Sequence, residues 1–212
     1  MSTSAEITAE YLVLRKMVYS DSSLIVAGIS PEYGQLRFLM KGERRIGKRR
    51  FPSLDLFRFV RIAYREGRGE LGSLRSVESV VDFGALGRNV VAFQTAGWFA
   101  RFALANVPAG VPHPRFVVAL LTGFERLVRT EADRTEAERL RDPLFVGIGL
   151  TLLDEGGWLA QQTEHPRTAR QCDEILAMAA NPDRPVLPLT ERNWQQLRAW
   201  VRRQLLEAEC IV

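Results

Sequence analysis

Residues 35–50, "QLRFLMKGERRIGKRR", set an alternation and a charge run back to back. In the first seven, Leu36, Phe38 and Met40 fall on one side of an extended chain, and Gln35, Arg37 and Lys41 on the other. That period of two predicts a half-buried β-strand. From residue 40 to residue 50, Lys41, Arg44, Arg45, Lys48, Arg49 and Arg50 share the stretch with a single acid, Glu43. Six crowded cations repel one another, an arrangement that suits an anionic partner better than open water. A solvated turn is the competing reading, although a turn needs only a few polar residues and a glycine.

Working outward, the surrounding sequence reads as more strands. "EYLVLRK" (10–16) and "SSLIVAGI" (22–29) are short runs rich in Val, Ile, Leu and Tyr, and "SPEYG" (30–34) supplies a turn. "LDLFRFVRIAY" (54–64) is apolar on both sides, with Leu54, Leu56, Val60 and Ile62 on one and Phe57, Phe59 and Arg61 on the other. After the glycine turn "REGRGE", "LGSLRSVESV" (71–80) makes a fifth strand. Five short strands at these intervals predict a small barrel.

The period then changes to that of helices. "GRNVVAFQTAGWFARFALANV" is a first helix, stopped by "GVPHP", and "RFVVALLTGFERLVRT" (115–130) is a second. "RTEAERLRDPLFVGIGLTLLDEG" continues helically with an expected break near Pro143. A polar loop over 156–171 leads into "CDEILAMAA", and Thr190 is the expected N-cap of "ERNWQQLRAWVRRQLLEAE". The expected fold is therefore α+β, a barrel over 1–82 followed by an all-helical bundle over 83–212.

The charge is unevenly distributed. Residues 35–75 carry twelve Arg and Lys against four Asp and Glu, +8, whereas the whole chain of 212 residues is only +4. Of the 29 basic residues 26 are Arg, which forks phosphate oxygens with fixed donor geometry. Arg37, Arg58, Arg61 and Arg65 extend the patch beyond the charge run. Phe57 and Phe59 offer aromatic faces for base stacking, with core packing the alternative. No stretch of about 18 apolar residues occurs, and "MSTSAEITAE" lacks the pattern of a secretory signal. Two cysteines, Cys172 and Cys210, suit a reducing cytosol and read as small buried hydrophobes.

Enzyme chemistry finds little support. "GERRIGKRR" follows its Gly-Lys with Arg rather than the Ser or Thr of a phosphate-binding loop. "EGRGELG" has suitable glycines but leads into a strand, not a helix N-terminus. The two histidines, His113 and His165, both sit in Pro-flanked loops. The acid pairs Asp154 with Glu155 and Asp173 with Glu174 diverge on a helix and read as solvated residues or a helix start.

Two segments, "YLVLRKMVYSDSSLIVAGISPEYGQLRFLMKGERR" and "FPSLDLFRFVRIAYREGRGELGSLRSVE", resemble the RecO family of recombinational repair mediators. The ordered series carries the resemblance: an early "VLR" strand, a strand ending in "LIV", a "PEYG" turn, a "KGERR" end and a "REGRGELGSL" hairpin. It covers the first 80 residues well and the next 50 only as a helical pattern. The resemblance implies an oligonucleotide-binding (OB-fold) barrel and then a helical domain. It implies a non-enzymatic protein, cytoplasmic, bacterial and nucleoid-associated. That protein would bind single- and double-stranded DNA, promote annealing and help load recombinase in DNA recombination and repair. Implied partners are a RecR-like ring protein and the tail of the single-strand-binding protein. No cofactor is expected. Many family members carry a four-cysteine zinc module in the helical domain, whereas this region offers only His165 and Cys172, short of the roughly four ligands of structural zinc. The residues expected to meet DNA are Arg37, Lys41, Arg44, Arg45, Lys48, Arg49, Arg50 and Arg61. The rival readings are a protein-interaction module whose basic loop binds an acidic partner tail, and an RNA-binding barrel.

Overall fold

The computed structural model describes residues 5–41, 54–67, 71–159 and 166–212, leaving aside the side chains of residues 166 and 167. The chain forms two compact units. One comprises Met1–Gly84 with Val107–His113, and the other Ala85–Asn106 with Pro114–Val212.

The first unit is built on five strands: β1 Ile7–Val18, β2 Ser23–Ser30, β3 Gly34–Lys41, β4 Arg58–Arg65 and β5 Ser73–Asp82. They form one antiparallel sheet in the order β3-β2-β1-β4-β5. β1 serves two neighbours in turn, β4 through Ile7–Leu12 and β2 through Leu12–Val18. A bulge between Val13 and Arg15 follows directly; such an extra residue bends a strand and sharpens its twist. Among the described residues, β3 and the residue just before β5 are joined by one parallel bridge, Phe38 with Gly72, where Gly72 N–H donates to the Arg37 carbonyl at 2.8 Å. The hydrogen-bonded ladder is thus not closed. A partly open five-stranded barrel is the arrangement of an oligonucleotide-binding fold, and the α+β reading holds.

The inner side follows the alternation of residues. Tyr11, Val13, Val26, Phe38, Met40, Val60, Ile62, Tyr64 and Leu74 form one buried cluster. Tyr11 and Tyr64 each meet the Phe38 ring edge-on, at 5.3 Å between centroids. The Tyr11 hydroxyl donates to the Leu36 carbonyl at 3.2 Å, and burial pushes its phenol well above the ordinary value. Gly28 lies where any Cβ would meet the Leu12 carbonyl at 2.0 Å, so only glycine allows β1 and β2 to approach this closely there.

β4 begins at Arg58 rather than near Leu54, because the chain turns first. The Asp55 carboxylate accepts the Leu56 N–H at 2.8 Å, and Phe57 takes a left-handed conformation with φ 58°. The Phe57 N–H donates to the Val13 carbonyl at 2.9 Å, and its own carbonyl accepts from Phe83 at 3.1 Å. These bonds hold a conformation that a bulky residue seldom adopts.

Residues 107–113, read from sequence as a helix breaker, belong to the sheet unit. Ala109 forms an antiparallel bridge with Gly34. Gly110 N–H donates to the Tyr33 carbonyl at 2.8 Å and His113 N–H to the Pro31 carbonyl at 2.9 Å. The "PEYG" turn is clasped by this segment.

The second unit holds α1 Val90–Asn106, α2 Pro114–Arg129, α3 Arg134–Glu155, α4 Pro166–Ala179 and α5 Glu191–Glu207. α3 is central and packs against the other four. Residues 143 to 153 of α3 are all buried, as expected of a helix apolar all round. The expected break at Pro143 does not occur, and α3 runs through it. The proline removes one donor, but the carbonyl it leaves is that of exposed Arg139, which water can satisfy. α4 starts at Pro166, six residues before Cys172, with proline in the first helical position that it favours. Thr190 caps α5 as expected, its hydroxyl accepting the Asn193 N–H at 3.2 Å. Asn89 does the same for α1, accepting from Val91 at 3.0 Å. Asp154 and Glu155 are not simply solvated. Glu155 caps α2 by accepting the N–H groups of Arg115 and Phe116, each at 2.9 Å, and Asp154 pairs with the Arg115 side chain.

Candidate nucleic-acid interface

The outer side of β1–β2–β3 is fixed by register. Arg15 pairs with Ala27 and Ala27 with Arg37; Met17 pairs with Ile25 and Ile25 with Leu39; Ser23 pairs with Lys41. Residues opposite one another in an antiparallel sheet face the same way. These rows therefore lie on the side away from Phe38 and Met40, and they contain three cations and no carboxylate. Arg15, Arg37 and Lys41 are all exposed. Neighbouring strands are about 4.8 Å apart, which sets the Arg15 and Arg37 backbones roughly 10 Å from each other. Lys41 ends β3 and leads into residues 42–50.

The other expected site residues divide. Arg44, Arg45, Lys48, Arg49 and Arg50 lie outside the described residues. Arg61 lies on β4 opposite Glu10 of β1 and Glu78 of β5, and its guanidinium is 3.6 Å from the Glu78 carboxylate. Arg58 pairs with Asp82 at 2.9 Å, and Arg65 is half-buried opposite Ser73. Lys16 pairs with Asp55 at 2.8 Å. Burial pushes the Asp55 carboxyl up. The hydrogen bonds from Lys16 and Leu56 and the charges of Lys16 and Arg58 outweigh it, and the carboxyl ends below its ordinary value. Arg58 and Arg61 on β4 and Lys16 on β1 thus each have a named acid at their side, and Arg15, Arg37 and Lys41 share the outer rows of β1–β2–β3.

Phe57 and Phe59 are 3% and 6% exposed. Buried rings cannot stack on a base, so the packing alternative applies to both. Arg15 was missed from sequence. It stands at the end of an ordinary apolar strand, and only the register across Ala27 sets it beside Arg37.

The helical unit carries a second basic surface. A cleft of about 280 Å³ is lined by Trp98, Arg101, Arg141, Phe145 and Arg198 among others, and a wider hollow beside it adds Arg202 and Arg203. Its floor is aromatic: Trp98 stacks on Phe102 with centroids 5.3 Å apart, and the Arg198 guanidinium lies 5.2 Å over the Phe145 ring. Asp142 accepts from Arg198 at 2.6 Å. Among the described residues no group of His, Cys, Asp and Glu is placed to hold a metal ion, and no helix is long and apolar enough to cross a membrane.

Residues 1–83 match the family described as recombination protein O N terminal. The DNA repair protein RecO of Geobacter metallireducens is 33% identical over 124 residues, 58% of this chain and 50% of that protein. The DNA repair protein RecO of Exiguobacterium sibiricum is 28% identical over 119 residues, 56% of this chain and 47% of that protein. The chain spans about half the length of the curated relatives it matches.

Proposed function

We propose that this chain, a member of the RecO family, is a non-enzymatic DNA-binding protein of recombinational repair. In this reading it binds single- and double-stranded DNA, promotes annealing and assists recombinase loading. The observation that carries the reading is the grouping of Arg15, Arg37 and Lys41 on the outer rows of β1–β3, which lead into Arg44, Arg45, Lys48, Arg49 and Arg50. Arginines on phosphate read no base code, so binding is largely sequence-independent. Arg61 adds a charge that Glu78 partly neutralises.

The proposed partners are a RecR-like ring protein and the acidic tail of the single-strand-binding protein. The helical cleft favours the second as an additional ligand. Arginines around an aromatic floor suit an acidic peptide with an apolar anchor. On that basis we assign the acidic tail to the helical cleft and DNA to the sheet face, whereas the protein-interaction rival has the basic segment after β3 bind that tail.

Fluorescence anisotropy with labelled single-stranded DNA, duplex DNA and RNA, at two salt concentrations, tests the proposal. Salt-sensitive binding of both DNA forms is expected. Binding of RNA alone would favour the RNA-binding rival, and binding of no nucleic acid would favour the protein-interaction rival.

A further inference from the structure

We infer that Tyr19 is a base-stacking residue, and that it makes the outer face of β1–β3 prefer single strands over duplex. The inference rests on the DNA-binding reading and specifies how the same face selects its ligand.

The position follows from register. Val18 pairs with Leu24, and the Tyr19 N–H donates to the Ser23 carbonyl at 3.0 Å, which carries the pairing one residue further. Alternation along β1 then sets Arg15, Met17 and Tyr19 on one side. Ser23 is paired in turn with Lys41. Tyr19 and Lys41 therefore flank Ser23, as Arg15 and Arg37 flank Ala27. The four corners of this face are three cations and one aromatic ring, and the row between them, Met17, Ile25 and Leu39, is apolar and half-buried.

Tyr19 is 62% exposed. Its exposure is unusual within the unit: Tyr11, Phe38, Phe57, Phe59, Tyr64 and Phe83 are all buried. The turn that carries it is held by reciprocal bonds, Ser20 N–H to the Ser23 carbonyl and Ser23 N–H to the Ser20 carbonyl, each at 3.3 Å. A ring held at the rim of a basic, apolar-centred face has the chemistry of a stacking platform, with cations for phosphate and π-surface for the base. In a duplex the base faces are stacked inside, so the ring gains nothing there, whereas the cations serve both forms.

Anisotropy measured on the full chain with a labelled oligo-thymidine and a duplex of equal length tests this. Tyr19→Ala is expected to weaken single-strand binding about tenfold, within the range of one base–aromatic stack. Duplex affinity should stay within about twofold, and the salt slope should not change, because no phosphate contact is lost. Tyr19→Phe should bind as wild type, since the ring and not the hydroxyl is used. Unchanged single-strand affinity in Tyr19→Ala, or an equal loss on both ligands, overturns the inference while the DNA-binding reading stands. Wild-type protein that binds neither DNA form overturns both.

Discussion

The guanidinium of Arg61 on β4 lies 3.6 Å from the carboxylate of Glu78 on β5, so this arginine of the basic stretch has an acid at its side. Its other cross-strand neighbour is Glu10. Arg61→Ala is accordingly expected to change DNA affinity less than Arg15→Ala does, by about twofold at most, with little effect on the salt slope. Both partners are largely exposed, and exposed pairs contribute about 0–1 kcal/mol to stability. Urea midpoints and anisotropy on both variants check the two halves of this statement.

The charge run outside the described residues makes a separate prediction. Replacing Arg44, Arg45, Arg49 and Arg50 together by alanine should flatten the single-strand salt slope by up to about 3, at roughly 0.7 per phosphate contact. All sequences should weaken alike. A solvated turn predicts unchanged affinity. If the segment grips an acidic protein tail instead, partner binding is lost and DNA binding is kept.

Arg126 is a structural cation. It is 9% exposed and donates to the backbone carbonyls of Met178 at 3.2 Å and Asn181 at 2.9 Å, and to that of Arg184. Arg126→Met would leave these carbonyls short of a donor at the end of α4. A loss of about 2–4 kcal/mol is expected, since bonds to a charged donor and unsatisfied buried acceptors each count for about 1–3. Chemical denaturation followed by far-UV circular dichroism measures it. DNA affinity of the folded fraction should be unchanged.

Much of this architecture is legible in the sequence, and the limits have physical causes. The alternation of Leu36, Phe38 and Met40 marks β3 because one side of that strand is buried and the other is not. The apolar run after Pro143 marks a buried helix, and the hydroxyl of Thr190 marks a helix start. What escapes is what depends on long-range bonds. Nothing local in "LDLFRF" tells that Phe57 takes positive φ, because bonds to Val13 and Phe83 impose it. Nothing in "GVPHP" tells that residues 107–113 return to the sheet, because the partners are carbonyls of Pro31 and Tyr33. The proposed binding face is half legible. Arg37 and Lys41 follow from alternation, whereas Arg15 and Tyr19 join them only through register.

The Lys16–Asp55 pair gives a pH prediction. The folded Asp55 carboxyl lies below the unfolded value of about 3.9. A depressed carboxylate contributes its full stability above the unfolded value and loses it as pH falls through the folded one. Wild type should therefore lose stability more steeply than Asp55→Asn below about pH 4, and the two should run parallel above pH 6. Thermal midpoints across pH 2–7 check the sign. Both side chains are partly exposed, so the difference is expected to be small.

In the proposed reading the outer face of β1–β3 grips phosphate. The most direct test is the log–log salt dependence of single-stranded DNA affinity for wild type and for Arg15→Ala/Arg37→Ala/Lys41→Ala. Loss of three contacts predicts a slope flatter by up to about 2 and weaker binding of every sequence at low salt. Equal slopes and equal affinities, with both proteins folded by circular dichroism, would contradict it.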